Sequence, residues 1–145
     1  MIKIYLVQPN FVLIIDHIFH CVKITTCFSI FQEYSDLFEL PRQLPGSRTG
    51  WLAFPVRIRK EAPFERREFQ VFLEQRNIQT RVVFTGNILR QPGFADIDCK
   101  VDAAGYPVAD AVMRGGVLLG CHHGLTPEMM AHVHDSVRIF LDRFH

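Results

Sequence analysis

The sequence predicts an α/β fold of the α+β kind, a small sheet of about three strands with helices packed on it. Three observations predict it. Residues 78–84 alternate with period two and β-branched enrichment, and over 51–59 Leu52, Phe54, Val56 and Ile58 share one face of a strand. Met130, Val133, Val137, Phe140, Leu141 and Phe144 recur at three and four, the period of a helix. From Trp51 onward the signals read strand, helix, strand, loop, helix, strand, helix, an order that suits one layer of helices on one sheet.

The 145 residues suffice for one domain with a modest core, and 48% of them are apolar, which argues against global disorder. A net charge of +1, without a basic run, gives no electrostatic footprint for nucleic acid. Cys21, Cys27, Cys99 and Cys121 form no C-x-x-C pair, so neither a zinc knuckle nor a redox motif is indicated. Buried thiols in a reducing compartment are the expectation, and a cytoplasmic location follows from it.

Met1 to Phe31 is rich in Ile, Val and Phe and reads differently from the rest. Gln8-Pro9-Asn10 interrupts it and no small-residue cleavage site follows, which disfavours a signal peptide. A membrane span over Phe11 to Phe31 is disfavoured by Asp16, His17, His20 and Lys23, because central charges are costly in lipid. The pattern leaves strand and poor helix open here. Leu40-Pro41 and Leu44-Pro45-Gly46 mark Glu39 to Gly50 as a linker.

Leu52, Phe54, Val56 and Ile58 are expected on one face of the first strand. Pro55, which lacks an N–H, is expected at an edge or with its nitrogen turned from the ladder. Pro63 and Phe64 open a helix to about Arg76, with Phe69, Phe72 and Leu73 as its apolar stripe and Asn77 as its C-terminal cap. Ile78, Thr80, Val82 and Phe84 are expected on the buried face of the second strand. Asp96 to Gly105 is a connection. Pro107 to about Arg114 is a short helix with Val108, Ala111 and Val112 inward, stopped by Gly115-Gly116. Val117 to Cys121 is a short buried strand. Thr126 as N-cap and Pro127 as first residue start the terminal helix.

The strand at Ile78 breaks at Thr85-Gly86-Asn87 and again at Arg90-Gln91-Pro92-Gly93, leaving a polar loop at the end of a buried strand. Arg81 reads either as an outward cation in a weak surface ion pair or as a planar fork for a carboxylate or diphosphate. Asn87 either supplies the turn or hydrogen-bonds sugar hydroxyls, and Arg90 and Gln91 carry the same two readings. His122, His123, His132 and His134 invite a metal reading. However, His132 and His134 point to different sides of a helix, and no acid or thiol completes a tetrahedral set. Cys121 reads as core.

The stretch from Ile78 to Phe94, IQTRVVFTGNILRQPGF, resembles a motif in the C-terminal small domain of the pyridoxal-phosphate-dependent sugar aminotransferases, the DegT/DnrJ/StrS family. WLAFPVRI, MRGGVLLGCHHGLTPEMM and the terminal helix resemble further segments of that domain, in the same order. Gly86-Asn87 and Arg90-Gln91-Pro92 favour the 3-dehydratase branch, which acts on nucleotide-linked 4-keto-6-deoxyhexoses in lipopolysaccharide biosynthesis. The resemblance begins near Tyr34, so 34–145 is expected to be the small domain, like that of fold-type I enzymes, and 1–33 stays unassigned.

The resemblance implies that Arg81, Asn87, Arg90 and Gln91 are substrate-binding residues over a sugar-nucleotide site. It implies a cofactor, pyridoxal or pyridoxamine phosphate (PLP or PMP), held by a large domain together with a catalytic histidine. No residue here matches that histidine or its setting, so no catalytic residue is assigned and no cofactor is expected on this chain alone. The expectation is therefore a truncated 3-dehydratase, inactive by itself, with a sugar aminotransferase as the alternative. A non-catalytic module paired with a separate large-domain chain, a homodimer, and a membrane-anchored protein using Met1 to Phe31 are the further readings.

Overall fold

The computed structural model describes residues 22–47, 51–94 and 96–144. In chain order they form α1 (Val22–Gln32), β1 (Phe38–Glu39), β2 (Ala53–Ile58), α2 (Arg66–Gln75), β3 (Thr80–Val82), α3 (Pro107–Gly115), β4 (Gly116–Gly120) and α4 (Pro127–Leu141). Short 3-10 turns lie at Ile88–Arg90, Pro92–Phe94 and Asp142–Phe144. Among the described residues the sheet is four-stranded and antiparallel, in the order β1-β2-β4-β3. The expected small sheet with helices packed on it is present, with one strand more than expected. The extra strand, β1, begins one residue before the linker and is only two residues long, too short to show a period.

Alternation along β4 divides the molecule into two faces. Val117 and Leu119 enter the main core with Phe54 and Val56, while Leu118 between them packs with Val83 and Val112 under α3. The main core is a chain of phenylalanines that ties five elements together. Phe31 of α1 meets Phe38 of β1 edge-on at 5.1 Å and stacks on Phe54 of β2 at 5.9 Å. Phe38 meets Phe69 of α2 at 5.4 Å, and Phe69 meets Phe140 of α4 edge-on at 5.2 Å. Each fully buried ring contributes about 1.5–3 kcal/mol through the apolar area it removes from water.

The segment whose pattern left strand and helix open is helical where it is described. Cys27, Ile30 and Phe31 of α1 are buried in the main core. The readings for Met1 to Cys21 lie outside the described residues. Among the described residues no helix is long and apolar enough to cross a membrane. Cys27 and Cys121 are buried, whereas Cys99 is exposed on the polar connection.

Several helix signals act as read. Thr126 caps α4, its side chain accepting from the Met129 N–H, and Pro127 occupies the first turn. Asn77 takes φ +62° just past α2, the left-handed conformation that Asn tolerates better than most residues. Pro55 lies in β2 where only β4 pairs beside it, since β1 reaches no further than Arg57 and Ile58. One edge of β2 is therefore without a strand at Pro55, which is the condition the missing N–H requires.

Two expectations are corrected. Leu52 does not share the inward face of Phe54, Val56 and Ile58. The strand starts after it, at Ala53, and Leu52 is 68% exposed. The alternation from Ile78 also fails half-way. Ile78 and Thr80 are buried, but Val82 and Phe84 are exposed and Val83 is buried instead. Phe84 adopts φ +48°, turning the chain so that Val83 joins Val112 of α3, a helix more than twenty residues further on.

Candidate functional site

The polar loop after β3 is held by one carboxylate. Asn87 is buried; its Nδ2 donates to Asp110 Oδ1 at 2.7 Å, and its Oδ1 accepts from the Leu89 N–H at 3.1 Å. Arg90 grips the same carboxylate with a fork, Nε to Oδ1 and Nη2 to Oδ2, both at 3.2 Å. Arg90 raises its own protonation range through this pair. Its hydrogen bonds, and then that of Asn87, hold the Asp110 carboxyl below the ordinary value. Gln91 Nε2 donates to the Thr85 carbonyl at 2.8 Å. Asp110, in the first turn of α3, was not singled out in the sequence. An acid near a helix start is common, and nothing local marks its partners 20 and 23 residues upstream.

Tight packing fixes where the loop runs. Gly86 has φ +64°, and a Cβ there would sit 2.4 Å from the Met113 Cβ. The loop therefore passes against α3 at a distance only glycine permits.

A cleft of about 710 Å³ opens beside β3 and α4. Its apolar lining comes from Leu118, Leu119, Leu125, Met130 and Val133, and its polar lining includes Gln79, Arg81, His122, Glu128 and His132. Of the four sequence candidates, Arg81 lines this cleft; Asn87, Arg90 and Gln91 do not. Arg81 Nη1 donates to the Thr80 carbonyl at 2.9 Å, which leaves most of its donors for an oxyanion. His132 Nε2 lies 2.7 Å from the Arg76 carbonyl at the end of α2. His122 Nδ1 accepts from the Gly124 N–H at 3.2 Å. Both imidazoles are thus oriented by the backbone at the rim.

Among the described residues no group of three His, Cys, Asp or Glu side chains could hold a metal ion. No lysine lines the cleft, so it offers no amine for an aldehyde to condense with; Lys60 and Lys100 are exposed elsewhere.

Solved structures share this fold. A DegT DnrJ EryC1 StrS aminotransferase from Brucella abortus superposes with a TM-score of 0.64 at 15% identity, over 81% of this chain and 30% of that one. The Escherichia coli GDP-4-keto-6-deoxy-D-mannose-3-dehydratase, with bound hydrated PLP, gives 0.65 at 17% identity over 79% and 30%. These are fold-type I aminotransferase relatives, which sets the class of the fold. The model of the DegT/DnrJ/EryC1/StrS aminotransferase family matches residues 23–138, and the chain belongs to that family. The match begins ahead of Tyr34 and takes in nearly all of α1.

Two curated relatives are similar in sequence. The lipopolysaccharide biosynthesis protein RfbH of Salmonella typhimurium is 31% identical over 102 residues, which is 70% of this chain and 23% of RfbH. The dTDP-4-dehydro-2,6-dideoxy-D-glucose 3-dehydratase of Saccharopolyspora spinosa is 33% identical over 108 residues, 70% of this chain and 22% of the enzyme. The chain therefore spans less than a quarter of the length of these relatives.

Proposed function

We propose that the chain supplies the small domain of a nucleotide-sugar 3-dehydratase and works beside a cofactor-holding domain. The observation that carries this is the 33% identity to a sugar-nucleotide 3-dehydratase, together with 31% to RfbH. In this reading residues 34–145 are the small domain, and α1 closes its core from the segment before it. The substrate is a nucleotide-linked 4-keto-6-deoxyhexose, and the reaction takes place in the cytoplasm.

The four candidate residues divide by role. Arg81 offers free guanidinium donors to the diphosphate or a sugar oxygen from the wall of the cleft. Asn87 and Arg90 fix the loop on Asp110, and Gln91 fixes it on Thr85. The loop then presents the remaining amide oxygen of Gln91 and the third nitrogen of Arg90 to the sugar. PLP or PMP belongs to the cofactor-holding domain, and this chain alone does not retain it.

Two measurements test the reading. Titrating PLP or PMP into the purified, folded chain is expected to give no saturable shifted absorbance band; such a band would place a cofactor site on this chain. Saturation-transfer NMR with a nucleotide-linked 4-keto-6-deoxyhexose is expected to show contact with the sugar and phosphate ends. That contact is weakened by Arg81→Gln. Absence of contact, or contact unchanged in the variant, removes the assignment of Arg81.

A second reading, a sugar aminotransferase, is equally compatible with the fold. The Brucella abortus aminotransferase superposes as well as the dehydratase does, with TM-scores of 0.64 and 0.65. Reconstitution with a cofactor-holding domain separates the two. A 3-deoxy product supports the dehydratase, and a 4-amino product supports the aminotransferase.

A further inference from the structure

A second concavity, about 570 Å³, lies where the end of β2, the start of α2 and the end of α3 meet. It shares no lining residue with the cleft that holds Arg81. Its charge is lopsided: Arg59, Lys60, Arg66, Arg67 and Arg114 line it, against Glu65 and Glu68. Glu68 is already engaged with Arg143 at 3.5 Å. Two of the cations are pinned as walls, Arg59 Nε donating to the Ser35 carbonyl at 2.9 Å and Arg66 Nη1 to the Met113 carbonyl at 2.6 Å. The side chains of Lys60, Arg67 and Arg114 make no hydrogen bond or ion pair among the described residues.

Two further observations bear on this charge. Arg57, next to the lining residue Ile58 on β2, is half-buried; its Nη2 meets Glu39, and its Nε has no hydrogen-bond partner among the described residues. Burial, and then repulsion from Arg114 and Arg59, hold its guanidinium below the usual arginine range. The start of α2 also opens into the concavity. Glu65 makes no side-chain cap, so the first backbone N–H groups of the helix keep their donors. Gly115 forms part of the floor, so close to β2 that a Cβ would lie 2.4 Å from the Ile58 carbonyl oxygen.

We propose that this concavity binds a phosphate or diphosphate group, held by Lys60, Arg67 and Arg114 and by the backbone N–H groups that open α2. Guanidinium forks and a helix N-terminus both favour a doubly charged oxyanion over chloride. Pro63 and Phe64 give one wall an apolar surface beside the charges. The site stands independently of the sugar-nucleotide reading, because it is read by direct binding of an inorganic ion.

Calorimetric titration of the full chain with inorganic pyrophosphate, at ionic strength fixed with chloride, is expected to give saturable one-to-one binding. Lys60→Gln and Arg114→Gln, both at exposed positions, are each expected to weaken it about five- to tenfold, near the net value of one ordinary hydrogen bond. Arg42→Gln, away from the concavity, leaves it unchanged. In the wild-type chain, pyrophosphate should shift the backbone amide resonances of Arg66, Arg67 and Glu68, a readout that needs no variant. Equal affinity for pyrophosphate and a nucleoside diphosphate supports a site for the phosphates alone; tighter binding of the nucleotide supports one that also uses the Pro63 and Phe64 wall. No saturable heat, equal binding by wild type and both groove variants, or binding of polyglutamate without pyrophosphate overturns the proposal.

Discussion

Asp110 governs the loop after β3, and its chemistry gives that loop a pH dependence. Hydrogen bonds from Arg90, and then from Asn87, hold its carboxyl below the ordinary 3.8. A carboxylate depressed in the folded state contributes stability that is full above the unfolded value. That stability is lost as pH falls through the folded one. Denaturant unfolding from about pH 6 down to about pH 2 should therefore show a loss in the wild type that is smaller in Asp110→Asn. Equal slopes would mean that the pair does not persist in solution. Gly86 sets the other constraint on the loop, through its positive φ and its approach to Met113. Gly86→Ala should cost roughly 2–4 kcal/mol, the sum of left-handed strain and overpacking, measured by the unfolding midpoint. Neither residue's role was legible in the sequence beyond a turn at Gly86. The partners of both lie on α3, and single-sequence patterns carry no information on which distant helix arrives at a loop.

At the level of elements, legibility followed local signals. Helix α4 was readable from end to end because Thr126, Pro127 and the apolar spacing agree, and each acts in the fold as its chemistry suggests. The stripe of α2 was readable for the same reason, with Phe69 and Leu73 fully buried. Helix α1 was not readable. Its residues are apolar and β-branched on more than one side, so neither the strand nor the helix template wins. It is helical because the ring of Phe31 is enclosed between β1 and β2. The half-failed alternation of β3 has the same origin, since Val83 answers to α3 and not to its own strand. Phe31→Ala should therefore lower stability by about 3–5 kcal/mol, as for a large side chain removed from a filled core. A loss under 1 kcal/mol on chemical denaturation would show that α1 does not belong to the cooperative unit.

The whole molecule leaves apolar surface open in a way that bears on how it works. Leu52 and Phe84 are 68% and 61% exposed, and the cleft adds an apolar lining to the same total. Phe84 is the more telling, because an exposed aromatic gains nothing from burial yet holds φ +48°, where a residue with a Cβ is strained. In the proposed arrangement this surface meets a cofactor-holding domain or a second copy of the chain, and burial there offsets the strain. The chain by itself should then bind an apolar dye and associate at micromolar concentrations in sedimentation velocity. Phe84→Asn separates strain from association. Asparagine accepts the left-handed conformation more readily, so the unfolding midpoint should hold or rise by up to about 1 kcal/mol of stability. Dye binding and association should fall together in the same variant. A wild-type chain that is monomeric and silent to the dye would overturn the arrangement. An Asn variant that loses stability would instead assign Phe84 a packing role within the fold.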